Sequence, residues 1–450
     1  MTRRSPASLF PGFALLAALA LLAGCATDTK KPEKKAEPKP PEVKPEPKPE
    51  PPPEKLPRVM LGIDVLEAEG FKAIAGKRLG LLTHRAGVNR RGESTIEVLR
   101  RAPQSKLVCL FAPEHGLDGQ VKAAENFGDS VHPSTGLPIY SLYGKNKRPT
   151  KEQLKGLHAV VVDLQDIGVR SYTFISWMRY TMEACFEAGV EVIILDRPNP
   201  LGGLKVDGPP LDPEHMSDVG AFRVPYVHGL TMGELATMAK NAPRVLAVKD
   251  SVRAKGRLTV VPMRGWTRAM RWPETELTWV PTSPMITSYD AVIGYAMVGL
   301  GCEQTPWRSG IGREFPFRGI SYPKKTPDEI IAALDAFKIP GIKLVKREGR
   351  NGEGKPVTGV YVEVVDWEAW RPTELSFYMH QLAEKWSPLK VFAGLTTTQQ
   401  RTFQIHVGST AWYDALSKQG MRVDVPAFIK NWSERAAVYQ TTSKKYWLYP

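Results

Sequence analysis

Four apolar runs limit what this chain can fold into. RLGLLTH (78–84), KLVCLFA (106–112), LHAVVVDLQD (157–166) and EVIILDRPNP (191–200) are apolar through their cores rather than at alternate positions. A strand with one wet face alternates, whereas a strand apolar throughout is covered on both faces. Between them lie segments with helical spacing, STIEVLRR (94–101) and SWMRYTMEACFEAG (176–189), the second stopped by a glycine. Buried strands alternating with helices predict an α/β fold, a Rossmann-like open parallel sheet over residues 58–309. After about residue 310 the texture changes. TPDEIIAALDAF (326–337) reads as a helix capped by Thr with Pro in its first turn, GIKLVKRE and VTGVYVEVV as strands, and ELSFYMHQLAEKW (374–386) as an amphipathic helix. A smaller C-terminal α+β domain is expected over 310–450.

Each apolar run ends in a polar loop: THRAG, PEHG, DLQDIGVRSY and DRPNPLGG. Open α/β sheets bind ligands beyond the carboxyl ends of their strands, so four such loops at one edge make one site. The motifs of the commoner chemistries are missing from the sequence: no GxGxxG after the first strand, no GxxxxGK[ST], no GxSxG and no HExxH. His84, His115, His132 and His228 have spacings that match no standard zinc pattern, so neither metal nor cofactor is expected. What remains is carboxylates with basic and aromatic neighbours. Glycoside hydrolysis needs a carboxylic acid to protonate the leaving oxygen and a second group at the anomeric centre. Glu114 fits the acid, with His115 beside it to tune it; the bland alternative is a carboxylate against a helix start. Asp166 and Arg170 either brace their loop as a pair or face a ligand together with Tyr172. Asn199, in a turn stiffened by prolines, offers an amide to a sugar or simply shapes the sheet edge.

The N-terminus bears on location. Arg3 and Arg4 precede an apolar stretch, LFPGFALLAALALLA (9–23), too short to span a bilayer, which runs into Leu22-Ala23-Gly24-Cys25. This resembles the lipobox of a bacterial lipoprotein, which implies removal of residues 1–24 and lipidation of Cys25. Ala26 after it resembles the outer-membrane sorting signal of enteric bacteria and implies a cell-envelope protein anchored in the outer membrane and facing the periplasm. Residues 25–57 are rich in Pro, Lys and Glu and read as an extended spacer. The net charge of +14 favours acidic partners, and an export signal argues against nucleic acid among them. Cys109, Cys185 and Cys302 form no CxxC pair and read as buried free thiols.

The motifs GLLTHRAGV, LFAPEHG, PIYSLYG, DLQDIGVRSYTF, LDRPNPLGG and VPYVHGLTMGELA occur in this order. Together they resemble the bacterial exo-β-N-acetylmuramidase family. The resemblance implies a Rossmann-like catalytic domain with a C-terminal auxiliary domain, and release of N-acetylmuramic acid from the non-reducing end of peptidoglycan-derived muramyl glycans. It carries the catalytic acid onto Glu114 and the family's other motif positions onto Gln165, Asp166, Gly168, Arg170 and Tyr172, and onto His228, Gly229, Thr231, Gly233, Glu234 and Leu235. Departures are His84 where an Asn is usual, Phe174 for Tyr, Met285 in place of an Asn, and an altered stretch around Glu303 and 312–315. The muramic acid carboxylate calls for an arginine: Arg170 first, then Arg85, Arg197 and Arg313. The acetamido oxygen, a carboxylate such as Glu303, and inversion all remain open for the anomeric centre. The competing reading is a weakened or inactive peptidoglycan-binding lipoprotein.

Overall fold

The computed structural model describes residues 58–450; the signal segment, Cys25 and the linker lie outside the described residues. The main sheet is built from β1 (Arg78–Thr83), β2 (Lys106–Ala112), β3 (Ser130–Val131), β4 (Pro138–Ser141), β5 (Ala159–Asp163) and β6 (Glu191–Leu195). A ribbon of β7 (Asp207–Pro210) and β8 (Pro225–Val227) precedes its last strand, β9 (Leu258–Val261). The order is β3-β4-β2-β1-β5-β6-β9, parallel at every pairing except β3 with β4. The chain grows outward from β1 to β4 and then returns to the other side of β1 to lay down β5. The strand order reverses there, and a crevice opens beyond the carboxyl ends of the strands.

Both faces of this sheet are covered, as the unbroken apolar runs require. Val160 and Val162 of β5 pack on the side of the helix Phe174–Ala188, whereas Ala159 and Val161 point to the side of the helices Gly62–Ala68 and Thr95–Arg100. The long helix ends at Gly189, in the left-handed conformation at φ +69°. Cys109, Cys185 and Cys302 are free and buried.

A second, antiparallel sheet has the order β10-β11-β13-β12, from β10 (Arg308–Ile311), β11 (Phe315–Ser321), β12 (Ile342–Arg350) and β13 (Pro356–Val364). The helix Pro327–Asp335 starts with the Thr326–Glu329 capping box. The position expected to divide two domains, 309/310, falls inside β10. The helix Tyr289–Val298 already lies against β11, where a Cβ on Gly294 would come within 2.5 Å of the Phe317 carbonyl carbon. One hydrophobic core runs from Leu82 and Val162 through Trp177 to Trp412 and Trp432, and the described residues belong to one compact unit.

Arg170 ties these parts together. Its side chain is fully buried, and its two terminal nitrogens donate to four backbone carbonyls: Pro209 at 2.7 Å, Val224 at 2.8 Å, Val407 at 2.8 Å and His406 at 3.4 Å. The first two belong to the β7–β8 ribbon region and the last two to the carboxyl end of the helix Thr397–Val407. A cation at that end also meets the negative pole of the helix. Gly408 follows at φ +83°, and a Cβ there would approach the guanidinium to 2.4 Å, so only glycine admits the clamp. Burial lowers the Arg170 pKa to about 10, which leaves the group charged at neutral pH. Arg170→Leu strands four buried acceptors, and urea unfolding should show a loss of about 3 kcal/mol or more. An unchanged midpoint would contradict the clamp.

Candidate active site

Glu114 lies two residues beyond β2 and is 8% exposed. Its Oε2 accepts a 2.5 Å hydrogen bond from the Thr173 hydroxyl. Thr173 occupies the N-cap position of the helix Phe174–Ala188 without capping it. The hydroxyl that would ordinarily satisfy the helix start serves the carboxylate instead. The helix N-terminus adds its positive pole, so the helix-start contact is present along with the specific bond. Tyr143 lies close to Glu114: its hydroxyl is pushed up to about 12, first by burial and then by the neighbouring Glu114 carboxylate. The Tyr143 ring stands edge-on to buried Trp177 with centroids 5.7 Å apart.

Among the described residues no hydrogen bond joins His115 to Glu114. His115 takes a left-handed φ of +71°, and its Nδ1 donates to the Val121 carbonyl at 2.8 Å. The Val121 N–H bonds back to the His115 carbonyl, so the residue closes a turn.

The third and fourth loops converge on a buried polar cluster. His84 Nε2 accepts from the Gln165 N–H at 2.9 Å, across the crevice between β1 and β5. The ring proton is therefore on Nδ1, which faces the Thr282 backbone without closing a hydrogen bond. Burial, followed by the Arg197 charge, lowers the His84 pKa to about 3, so the imidazole is neutral. Gln165 donates to the carbonyls of Asp166 and Pro198, while its Oε1 is buried without a partner. Asp166 Oδ2 accepts from the Gly168 N–H at 2.7 Å and lies 3.7 Å from His228 Nε2. Asp166 Oδ1 and His228 Nε2 are both buried without hydrogen-bond partners. Such orphaned atoms are rare in a finished core and mark a place for a polar ligand or ordered water.

Tyr295 links this cluster to Glu114. Its hydroxyl is raised to about 12, chiefly by burial and then by the nearby charges of Glu303, Glu114 and Asp166, against a hydrogen bond from Ser171. The charges of three carboxylates are therefore felt at one phenol. Glu303 itself is exposed on a short turn, Cys302–Gln304. Tyr172, whose hydroxyl bonds Thr282 Oγ1 at 2.7 Å and is pushed up by burial, packs edge-on to Phe174 behind the site.

Several expected ligand-binding groups are instead spent on the protein. Arg170 is the four-carbonyl clamp: both terminal nitrogens are spent on the protein, and its remaining Nε–H is buried inside it. Arg197 is 3% exposed and grips Asp163 at 2.5 and 2.9 Å. Asn199 bonds the Leu230 carbonyl and the Leu201 N–H and lies against Gly168, which makes it a turn brace. The strand-end carboxylate Asp196 is likewise consumed by Gly233, Thr231 and Tyr449, with burial raising it to about 6. Arg313 sits by the β12–β13 turn against Gly352, away from the strand ends of the main sheet. Arg85 is exposed, and among the described residues its guanidinium has no ion pair. With His84 it lines a cavity of about 680 Å³ that also includes Ile96, Ala112, Leu117 and Phe127. Thr173 and Tyr143 sit inside the quoted motifs, but their types alone did not single them out. Tyr295, within the apolar YDAVIGYAMV helix, gave no signal at all.

Comparison with known proteins shows which family the fold belongs to. Residues 79–290 match the model described as exo-β-N-acetylmuramidase NamZ, N-terminal, and residues 293–449 match the corresponding C-terminal model. The peptidoglycan β-N-acetylmuramidase NamZ of Bacillus subtilis (strain 168) is 40% identical over 288 residues, 64% of this chain and 67% of that protein. Two crystal structures of DUF1343 family proteins from Bacteroides fragilis NCTC 9343 superpose with TM-scores of 0.78 and 0.64, at 35% and 26% identity. Each covers 87% of this chain and 99% of its own. Two adjoining family models and a long, closely similar relative place the chain in the exo-β-N-acetylmuramidase NamZ family.

Proposed function

We propose that the protein is a glycosidase that removes N-acetylmuramic acid from the non-reducing end of peptidoglycan fragments, with Glu114 as its general acid. The observation that carries this is the hold on Glu114: one carboxylate, almost buried, bonded by Thr173 with Tyr143 close by, near a phenol that also feels the charges of Asp166 and Glu303. A module that only binds glycan has no use for a carboxyl group held in this way, whereas proton delivery to a glycosidic oxygen requires it. Arg85 takes over the recognition of the lactyl carboxylate. Of the four arginines considered, it combines an exposed, unpaired guanidinium with a place on the loop that follows β1.

The lipobox-like Leu22–Cys25 and the Pro/Lys/Glu-rich spacer support an envelope lipoprotein, tethered at the outer membrane with its catalytic part in the periplasm. This setting suits turnover or recycling of wall fragments. Cys25→Ser should move the protein from the membrane fraction to the soluble fraction, and a variant that still pellets with membranes would contradict the anchor.

The activity is tested with two chromogenic substrates, a β-N-acetylmuramide and the matching β-N-acetylglucosaminide. Release from the muramide alone is expected. Arg85→Ala should raise KM for the muramide roughly tenfold or more, the loss of one charge-assisted bond worth about 1.5–3 kcal/mol. Equal cleavage of both substrates would point to a relaxed amino-sugar hydrolase. Binding of muramic acid without turnover would leave a binding module.

A further inference from the structure

Acid catalysis by Glu114 leaves open what attacks or stabilises the anomeric carbon. The structure narrows the choice. Asp163 is saturated by Arg197 and Thr95, and Asp196 by four donors. That leaves Glu303 and Asp166 as the carboxylates sharing the surroundings of Tyr295 with Glu114. Glu303 is exposed, and no hydrogen bond from the described residues fixes its carboxylate. A nucleophile must be held in line with the carbon it attacks, and Glu303 is not held.

Asp166 is the opposite case. It is 6% exposed, one oxygen is pinned by the Gly168 N–H, and the other, Oδ1, is buried with nothing bonded to it. Behind it stands His228, 1% exposed. Its Nδ1 accepts from the Leu230 N–H, so Nε2 carries a hydrogen and faces Asp166 from 3.7 Å. An N–H beside the carboxylate does not suit a metal cation. A fixed, orphaned carboxylate oxygen calls for one neutral donor from the ligand. A 2-acetamido sugar brings such a donor, its amide N–H, next to the carbon that reacts.

We propose that the reaction is substrate-assisted, with Asp166 holding the N–H of the 2-acetamido group and His228 positioning Asp166. This rests on the muramidase reading above. In the first step the acetamido carbonyl oxygen donates an electron pair to C1. The C1–O bond to the leaving sugar breaks with its pair, and that oxygen takes the proton of Glu114. The ring so formed is an oxazolinium whose N–H is bonded to, or deprotonated by, Asp166. In the second step water adds to C1 and gives its proton to Glu114, and the pair of the breaking C1–O bond returns to the acetamide. The nitrogen keeps or regains its proton. One water is consumed, no protein–sugar bond forms, and the β configuration is retained.

The test uses the unaltered protein with three p-nitrophenyl β-muramides that carry N-acetyl, N-difluoroacetyl and N-trifluoroacetyl groups. Fluorine weakens the carbonyl as a nucleophile, so kcat/KM should fall stepwise, roughly tenfold or more across the series. NMR of the first turnovers should show the β-anomer. Asp166→Asn should lower kcat far more than it changes KM, while Glu303→Gln keeps the fluorine dependence. A rate indifferent to fluorine, or an α-anomer as first product, overturns the proposal and leaves the muramidase reading intact. If none of the three muramides is cleaved, that reading falls and this inference with it.

Discussion

The buried guanidinium of Arg170 is the constraint on which the rest depends. It leaves the loop that carries Gln165 and Asp166 and crosses to the β7–β8 region and the end of the helix Thr397–Val407. An unneutralised buried cation is costly, and only several carbonyl dipoles, one set at a helix carboxyl terminus, make it tolerable. In return the loop is fixed from both ends. Its backbone N–H at Arg170 bonds the Tyr226 carbonyl, and its Asp166 carboxylate is folded onto Gly168. The polar cluster that faces ligand is rigid because a residue four positions on is locked into the protein.

The same economy separates fully engaged carboxylates from the two that the proposed reaction uses. Asp163 and Asp196 end their strands with every oxygen engaged, and they knit β5 and β6 to the neighbouring loops. Glu114 and Asp166 each keep something in reserve. Glu114 is held by the Thr173 hydroxyl at one oxygen, and Asp166 has one buried oxygen with no partner among the described residues. Hydroxyl donors steady a carboxylate without neutralising it, as an arginine would do, and so leave it able to exchange a proton.

Much of the fold was legible in the sequence because its signals are local. β1, β2, β5 and β6 are apolar runs bounded by polar loops, Gly189 stops its helix, and Thr326 with Pro327 starts another. The short strands β4 and β9, with PIYS and LTVV, carry too few residues to declare a period. At the site, Glu114 and the loop 165–168 were readable from their position after buried strands. The arginines were not: Arg170 and Arg197 are placed where ligand arginines belong, and only partners such as Val407, 237 positions away, show that they are braces. The turn at His115 was not legible either, because no side-chain pattern announces a left-handed backbone at a residue other than glycine.

The central claim is that Glu114 delivers the proton to the leaving oxygen. The most direct test compares Glu114→Gln with the unaltered protein on two muramides, one with a sugar leaving group and one with 2,4-dinitrophenolate, which departs without protonation. The account predicts a loss of roughly 100-fold or more on the sugar-linked substrate and little loss on the dinitrophenyl one. Equal losses on both would show that Glu114 holds the substrate or the fold and that the acid lies elsewhere.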